Sequence, residues 1–476
     1  MNESYTSPLV ERFATKAMAA HWSPQKKFST WRRCWIALAE AEQSLGIEIT
    51  DAQLEEMRAH VDDIDFEAAR KFERELRHDV MAHIHAWRLV APKAMPIIHL
   101  GATSCYVGDN TDLILIREGL EMILRLAVNV LAKLKAFAVE YRDLACLGYT
   151  HYQPAQVVTL GKRACLWAQD LLFDVEDLEA AIERLKCRGV KGTTGTQASF
   201  LALFDGDHAK VRKLDQLVAE KLGFDASYPV TGQTYPRKVD TQVLRVLAGI
   251  GESVHKFATD MRLLANLKQV EEPFEETQVG SSAMAYKRNP MRSERACALS
   301  RFLMVSPLHS EFTTATQWFE RTLDDSAIRR LSVPESFLAA DAVLNLYLNI
   351  MEAPKVYPKV IQRYLNAELP FMATENILMA CVRRGGDRQH LHEVIRRHSQ
   401  AAAAKVKEEG GENDLLDRLA ADADIGMTRD EIDAVLDVRE FVGRAPEQVD
   451  EFVAEFLDPV LKRHADAIGA ESDVRV

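Results

Sequence analysis

Apolar residues recur at helical spacing along almost the whole chain. Trp31, Trp35, Leu38, Ala41 and Leu45 share one face at 3.6-residue spacing, and Gly46 follows where a glycine commonly ends a helix. Thr50 and Gln53 stand at capping-box spacing, which predicts a new helix start. No period-2 alternation appears at the roughly 8–12-residue spacing of an all-β domain. Three longer runs stand out: Thr111 to about Tyr141, broken only by Gly119, then Pro154 to Gly189, then Pro236 to Pro273. Helices of ~30 residues are about 45 Å long, well beyond the roughly 8–20 residues of an ordinary globular helix. The expected fold is all-α, built on an extended long-helix bundle whose apolar faces serve as core and also as subunit interface.

Proline and glycine cluster between the rods, at 91–108, 189–195, 228–236 and 280–290. At 476 residues the chain has room for about three domains. The pattern divides it into a small helical domain at 1–103, a long-rod domain at 104–356 and a shorter helical domain at 357–476. The acidic, glycine-containing run 408–413 reads as a solvated turn, and 471–476 as a fraying tail.

Composition narrows the class. Hydrophobic residues make up 47% and charged residues 27%, which excludes a disordered or low-complexity chain. Acidic residues outnumber basic ones by 71 to 59, a net of −12, so a general nucleic-acid coat is excluded. No stretch reaches the ~18 consecutive apolar residues of a membrane span, and the first residues lack the apolar core of a signal peptide. Seven scattered cysteines without a CxxC pair read as reduced, buried thiols. These features lead to an expected soluble, cytoplasmic protein.

Candidate chemistry lies in the loops at rod ends. In Gly280-Ser-Ser-Ala-Met-Ala-Tyr-Lys287-Arg-Asn289-Pro290, two serines follow a glycine, and Lys287, Arg288, Arg292 and Arg295 make the stretch locally basic. Pro290 is set to open a helix at its first position. Such a loop suits an anionic substrate whose carboxylate must be neutralised while a proton leaves the adjacent carbon. An exposed loop with scattered charges is the plainer account. A serine hydrolase fits poorly, since Gly-x-Ser-x-Gly and Ser-x-x-Lys are both absent there.

Five further segments stand out. Arg77-His78-Asp79 precedes His83 and His85, and His78 is placed to meet an anion or shuttle a proton. A zinc site can be drawn from Asp79, His83 and His85, but no His-Glu-x-x-His is present, and packed structural histidines are the simpler reading. His151 precedes Pro154, which would start the second rod. The run Gly189–Gly195 lacks a P-loop ending, and Gly-x-Gly-x-x-Gly is absent, so nucleotide binding by those motifs is unsupported. Thr103 and Ser104 either donate to a carboxylate or form a capping turn. Gln317–Arg330 is dense in donors around the buried-looking Trp318 and Phe319.

Taken with Arg77-His-Asp-Val-Met-Ala-His, Gly101-Ala-Thr-Ser-Cys-Tyr-Val-Gly-Asp-Asn-Thr-Asp, Lys191-Gly-Thr-Thr-Gly-Thr-Gln-Ala-Ser-Phe and Gln317-Trp-Phe-Glu-Arg-Thr-Leu-Asp-Asp-Ser, the serine loop resembles the fumarase/aspartase superfamily, in its adenylosuccinate lyase branch. The likeness runs from about Arg12 into the C-terminal region. It implies a homotetramer with active sites built from three subunits, cleaving adenylosuccinate to AMP and fumarate, and SAICAR to AICAR and fumarate. The resemblance implies no cofactor and no metal. It makes Ser281 the general base and His151 the general acid, with Lys287 and Asn289 stabilising the carbanion-like intermediate. Arg12, Arg77, His78, Asp79, Arg295, Arg321 and Arg330 correspond to site positions. Thr103 and Ser104 correspond to carboxylate contacts, Gln233 to an amide or carboxylate contact, and Ser326 to a phosphate contact. Two departures stand out: Phe13 occupies a site position where the family usually has tyrosine, and Ala285 replaces a usual proline. Another fumarate-releasing lyase, of argininosuccinate or fumarase type, and a non-catalytic helical scaffold are the competing readings.

Overall fold

Four rods form the centre of the computed structural model, which describes residues 4–275, 278 and 283–474. They are Ser104–Glu140, Leu160–Arg184, Lys238–Asn266 and Asp325–Glu352, with Met291–Val305 packed alongside the third. The first has 37 residues, so it is about 55 Å long. Its buried face, with Leu113, Ile116, Leu120, Ile123, Leu131 and Leu134, lies against the second and fourth rods. Gly119 falls at a crossing: a Cβ there would sit 2.9 Å from the Phe337 ring, so only glycine admits this approach.

The expected face of the first long N-terminal helix, Pro24–Ser44, is buried at Trp31, Trp35, Leu38 and Ala41. Gly46 adopts φ +97°, and Thr50 and Gln53 form the capping box. One continuous core runs from Leu9 to Leu461, and a second, smaller one gathers residues between Ala373 and Ile432. All seven cysteines are free thiols, six of them buried. Among the described residues, no helix is long and apolar enough to cross a membrane.

Two expectations are corrected. The second rod does not start at Pro154. Residues Ala145–Thr150 and Gln153–Thr159 form an antiparallel hairpin, and the rod begins at Leu160 with Thr159 as its cap. The two-residue turn is His151-Tyr152, with φ of 54° and 57°, the positive values that a tight hairpin requires. Leu147 and Val157 on the hairpin pack on Leu365 and Leu369, and this cover favours paired strands over an extra helical turn. Within the tail expected to fray, residues 472 and 473 are tied down. Asn129 bonds the backbone of Ala467, Gly469 and Ala470, while Asn345 bonds that of Asp473.

Candidate active site

At one end of the bundle, short segments meet around a cleft of about 780 Å³. Arg77 ends the helix Phe66–Leu76 in a left-handed conformation, φ 54°, and the chain restarts as Asp79–Trp87. His78 caps that restart: its Nδ1 accepts from the Met81 N–H at 3.2 Å. An accepting Nδ1 carries no proton, so the neutral ring holds its proton on Nε2, 3.2 Å from the Ser104 hydroxyl. Thr103 and Ser104 open the first rod. Thr103 holds the cap position in extended backbone, its carbonyl accepting from the Tyr106 N–H at 2.8 Å, but its side chain makes no capping bond.

Gln233 and Arg321 meet across the cleft wall, Nη1 donating to Oε1 at 3.0 Å. Arg188, fully buried behind the 189–195 loop, donates to the Gln233 carbonyl at 2.8 Å and to Gly192 at 2.7 Å. That glycine-rich loop therefore braces Gln233. Ser326 and Arg330 lie one turn apart on the fourth rod, and Arg330 reaches Asp79 at 3.3 Å. Nine expected site residues line this cleft: Arg77, His78, Asp79, Thr103, Ser104, Gln233, Arg321, Ser326 and Arg330.

Beneath them lies an ion network that the sequence reading missed. Arg237 holds both oxygens of Asp109 at 3.2 Å and Asp325 at 2.7 Å, with all three groups buried. Arg329 bonds Asp240 at 2.7 Å, Asp112 at 2.9 Å and the Tyr235 hydroxyl at 2.5 Å. Burial pushes the Asp109 carboxyl up, but Arg237, Arg329 and Arg188 overcome it and hold the group below its usual range. The available signal was Asp109 and Asp112, two carboxylates one turn apart near the start of the first rod. Their partners, far away in sequence, could not be read.

The remaining expected residues lie elsewhere on the chain. Arg12, Phe13 and Arg295 gather in a separate small pocket, with the Arg295 guanidinium 5.5 Å over the Phe13 ring. Burial and the nearby Arg12 lower the Arg295 pKa. His151 is exposed at the hairpin tip. Lys287 is exposed and Asn289 half-buried ahead of the helix Met291–Val305, which Pro290 caps from outside instead of occupying its first position. Ser281 lies outside the described residues. None of Arg12, Phe13, His151, Lys287, Asn289 and Arg295 lines the cleft.

Other candidates resolve structurally. His83 stacks on Phe28 at 3.7 Å, and burial pushes its pKa down to about 4. His85 packs near Phe72. Among the described residues, no three His, Cys, Asp or Glu side chains gather to hold a metal, so the Asp79–His83–His85 set is not assembled. Trp318 and Phe319 are not buried: they are 67% and 103% exposed. The Glu320 carbonyl accepts from the Gln233 N–H at 3.0 Å, which anchors the segment through backbone and leaves both rings outside.

The rod bundle, with its arginine-rich cleft at one end, shares its fold with solved structures of low sequence identity. A fumarate lyase from Mesorhizobium sp. BNC1 superposes with TM-score 0.78 at 22% identity, covering 94% of this chain and 99% of its own. A 3-carboxy-cis,cis-muconate lactonizing enzyme from Pseudomonas putida gives 0.82 at 22%, covering 94% and 98%. At such identity both speak for the fold. A lyase family model matches residues 10–302, and a model described as the adenylosuccinate lyase C-terminus matches 370–452. Adenylosuccinate lyase from Saccharomyces cerevisiae is 55% identical over 463 residues, covering 97% of this chain and 96% of the relative. The Schizosaccharomyces pombe enzyme of the same name is 54% identical over 453 residues, covering 94% of each. The chain belongs to the adenylosuccinate lyase family.

Proposed function

We propose that this chain catalyses β-elimination of fumarate from adenylosuccinate to give AMP, and from SAICAR to give AICAR, as a cofactor-free step of cytoplasmic purine nucleotide synthesis. The observation that carries the reading is the convergence of Arg77, His78, Thr103, Ser104, Gln233, Arg321, Ser326 and Arg330 on one cleft from four separate stretches of chain. Two carboxylates and a phosphomonoester give the substrate roughly −4 charge, and a donor-rich, cation-lined cleft complements it. The network below fixes Arg237 and Arg329 against carboxylates at 2.7–3.2 Å, whereas Arg321 and Arg330 meet theirs only at 3.5 and 3.3 Å and, with Arg77, line the cleft wall.

In this mechanism Ser281 removes the proton from the carbon beside a succinyl carboxylate. The electron pair passes into that carboxylate, where Lys287 and Asn289 stabilise the added charge. The C–N bond then breaks, and His151 protonates the departing nitrogen. A serine hydroxyl is a weak base, so the alkoxide it represents needs a neighbouring cation, for which Lys287 is suited. The tautomer of His78 makes its Nε2–H a donor, fitted to hold a substrate oxygen and not to remove a proton. His151, Lys287 and Asn289 stand away from the cleft of their own chain, as do Arg12, Phe13 and Arg295. That separation supports a homotetramer in which neighbouring subunits supply them.

The test is a spectrophotometric assay with adenylosuccinate and SAICAR, following fumarate release by wild type, Ser281→Ala and His151→Ala. Turnover by wild type that falls at least a thousandfold in both variants is expected. A folded protein inert to both substrates, or active only on an unphosphorylated succinyl compound, would overturn the reading.

A further inference from the structure

The geometry points to Lys27 as a further substrate-binding residue, one that holds the phosphomonoester of the nucleotide. The inference rests on the cleft being the adenylosuccinate site. Lys27 stands in the first turn of the helix Pro24–Ser44 and lines the cleft. Its ammonium lies 5.5 Å from the ring centroids of both Phe28 and Trp31, so its stem runs along aromatic surface. No carboxylate of the described residues comes within ion-pair distance of it. Its neighbour in sequence makes the contrast: Lys26 pairs with Glu118 at 2.7 Å.

Burial disfavours the charged ammonium, and Arg330 and Arg329 add to that, with only partial relief from Asp112 and Asp79. A half-buried cation without a carboxylate in ion-pair contact is a costly group to keep, and a bound dianion would lower the cost. The chemistry of the surroundings selects which anion. Arg330 and the Ser326 hydroxyl share a rod face, and Lys27 lines the same cleft with them. Ammonium, guanidinium and hydroxyl together suit a tetrahedral phosphate, because Lys acts as a compact point charge with rotatable donors. The planar donors of Gln233 and Arg321, held together at 3.0 Å, suit a carboxylate. Arg330 is at present held by Asp79, an exposed contact at 3.3 Å that phosphate can displace.

Lys27→Met keeps the stem on the two rings and removes the charge, Lys27→Gln provides a second neutral variant, and Lys27→Arg retains the charge. For each folded variant, KM and kcat for adenylosuccinate would be measured, with competitive inhibition by AMP, inorganic phosphate and fumarate. AMP binding would also be measured by calorimetry. The neutral variants are expected to raise KM and the AMP and phosphate inhibition constants about tenfold or more, with kcat within about threefold and fumarate inhibition unchanged. Lys27→Arg should recover most of the loss. An active wild type with unchanged AMP and phosphate constants in both neutral variants would overturn the assignment alone. Equal weakening of fumarate and AMP would overturn it too, since Lys27 would then not discriminate the phosphate. A wild type that neither cleaves adenylosuccinate nor binds AMP would overturn both this inference and the reading beneath it.

Discussion

Glu42 gives the sharpest physical prediction outside the cleft. It lies fully buried on the helix Pro24–Ser44, and neither carboxylate oxygen has a hydrogen-bond partner. Burial alone pushes its pKa from 4.5 up to about 9. The unfolded chain sheds this proton above pH 4.5 and the folded chain only near 9, so the folded state binds the extra proton throughout that window. Stability contributed by the neutral carboxyl is therefore complete below 4.5 and is lost steadily as pH rises toward 9. At roughly 1.4 kcal/mol per pH unit, the cost is about 1 kcal/mol at pH 5.5 and about 4 kcal/mol at pH 7.5. Glu42→Gln keeps the shape and abolishes the titration. Its stability relative to wild type should rise by about 3 kcal/mol between those two pH values, read from denaturant unfolding at fixed protein concentration. Parallel curves at the two pH values would refute the reasoning, because Glu42 would then be ionised in both states.

Other substitutions test the frame around the site. Arg237→Met removes the ion-pair partner of buried Asp109 and leaves buried Asp325 only a 3.5 Å contact with Arg321, so it should cost about 3–5 kcal/mol in thermal unfolding. Arg245→Met, which breaks an exposed pair with Glu311, should cost no more than about 1 kcal/mol in the same assay. Gly119→Ala places a methyl against the Phe337 ring and should destabilise by about 1–3 kcal/mol, most of which Phe337→Leu in the same chain should relieve. Phe13→Tyr restores one neutral hydroxyl, worth about 0.5–1.5 kcal/mol, so KM for adenylosuccinate should fall modestly. A tenfold loss of activity in that variant would contradict the role given to this position.

Three of the four rods were legible because long stretches without proline repeat apolar residues at helical spacing, which is a local property; the fourth, Asp325–Glu352, carries Pro334 inside it and did not stand out. The hairpin was not. His151-Tyr152 is a two-residue turn without the Asn-Gly or Gly signature that usually marks one, and Pro154 looked like a helix start. The carboxylates of the cleft floor were visible as residues but not as pairs, because Asp109 and Arg237 are 128 positions apart. The cleft itself was readable only through whole blocks resembling a known family. Spacing alone cannot bring Arg77 to Ser104 or Gln233 to Arg321. Trp318 and Phe319 misled for a physical reason: aromatic residues usually imply burial, yet here backbone bonds hold the segment and free the rings.

The central claim is that one chain carries an incomplete site and that subunits complete one another. Mixing His151→Ala with Arg321→Met subunits tests it most directly, since His151 sits on the hairpin and Arg321 in the cleft. Each variant alone should be nearly inert toward adenylosuccinate. After joint unfolding and reassembly at equal amounts, random mixing leaves both native residues in about one site in four, so about a quarter of wild-type activity should return. Mixed assemblies, verified by differently tagged chains, that stay inert would contradict the account, because both residues would then act within a single subunit.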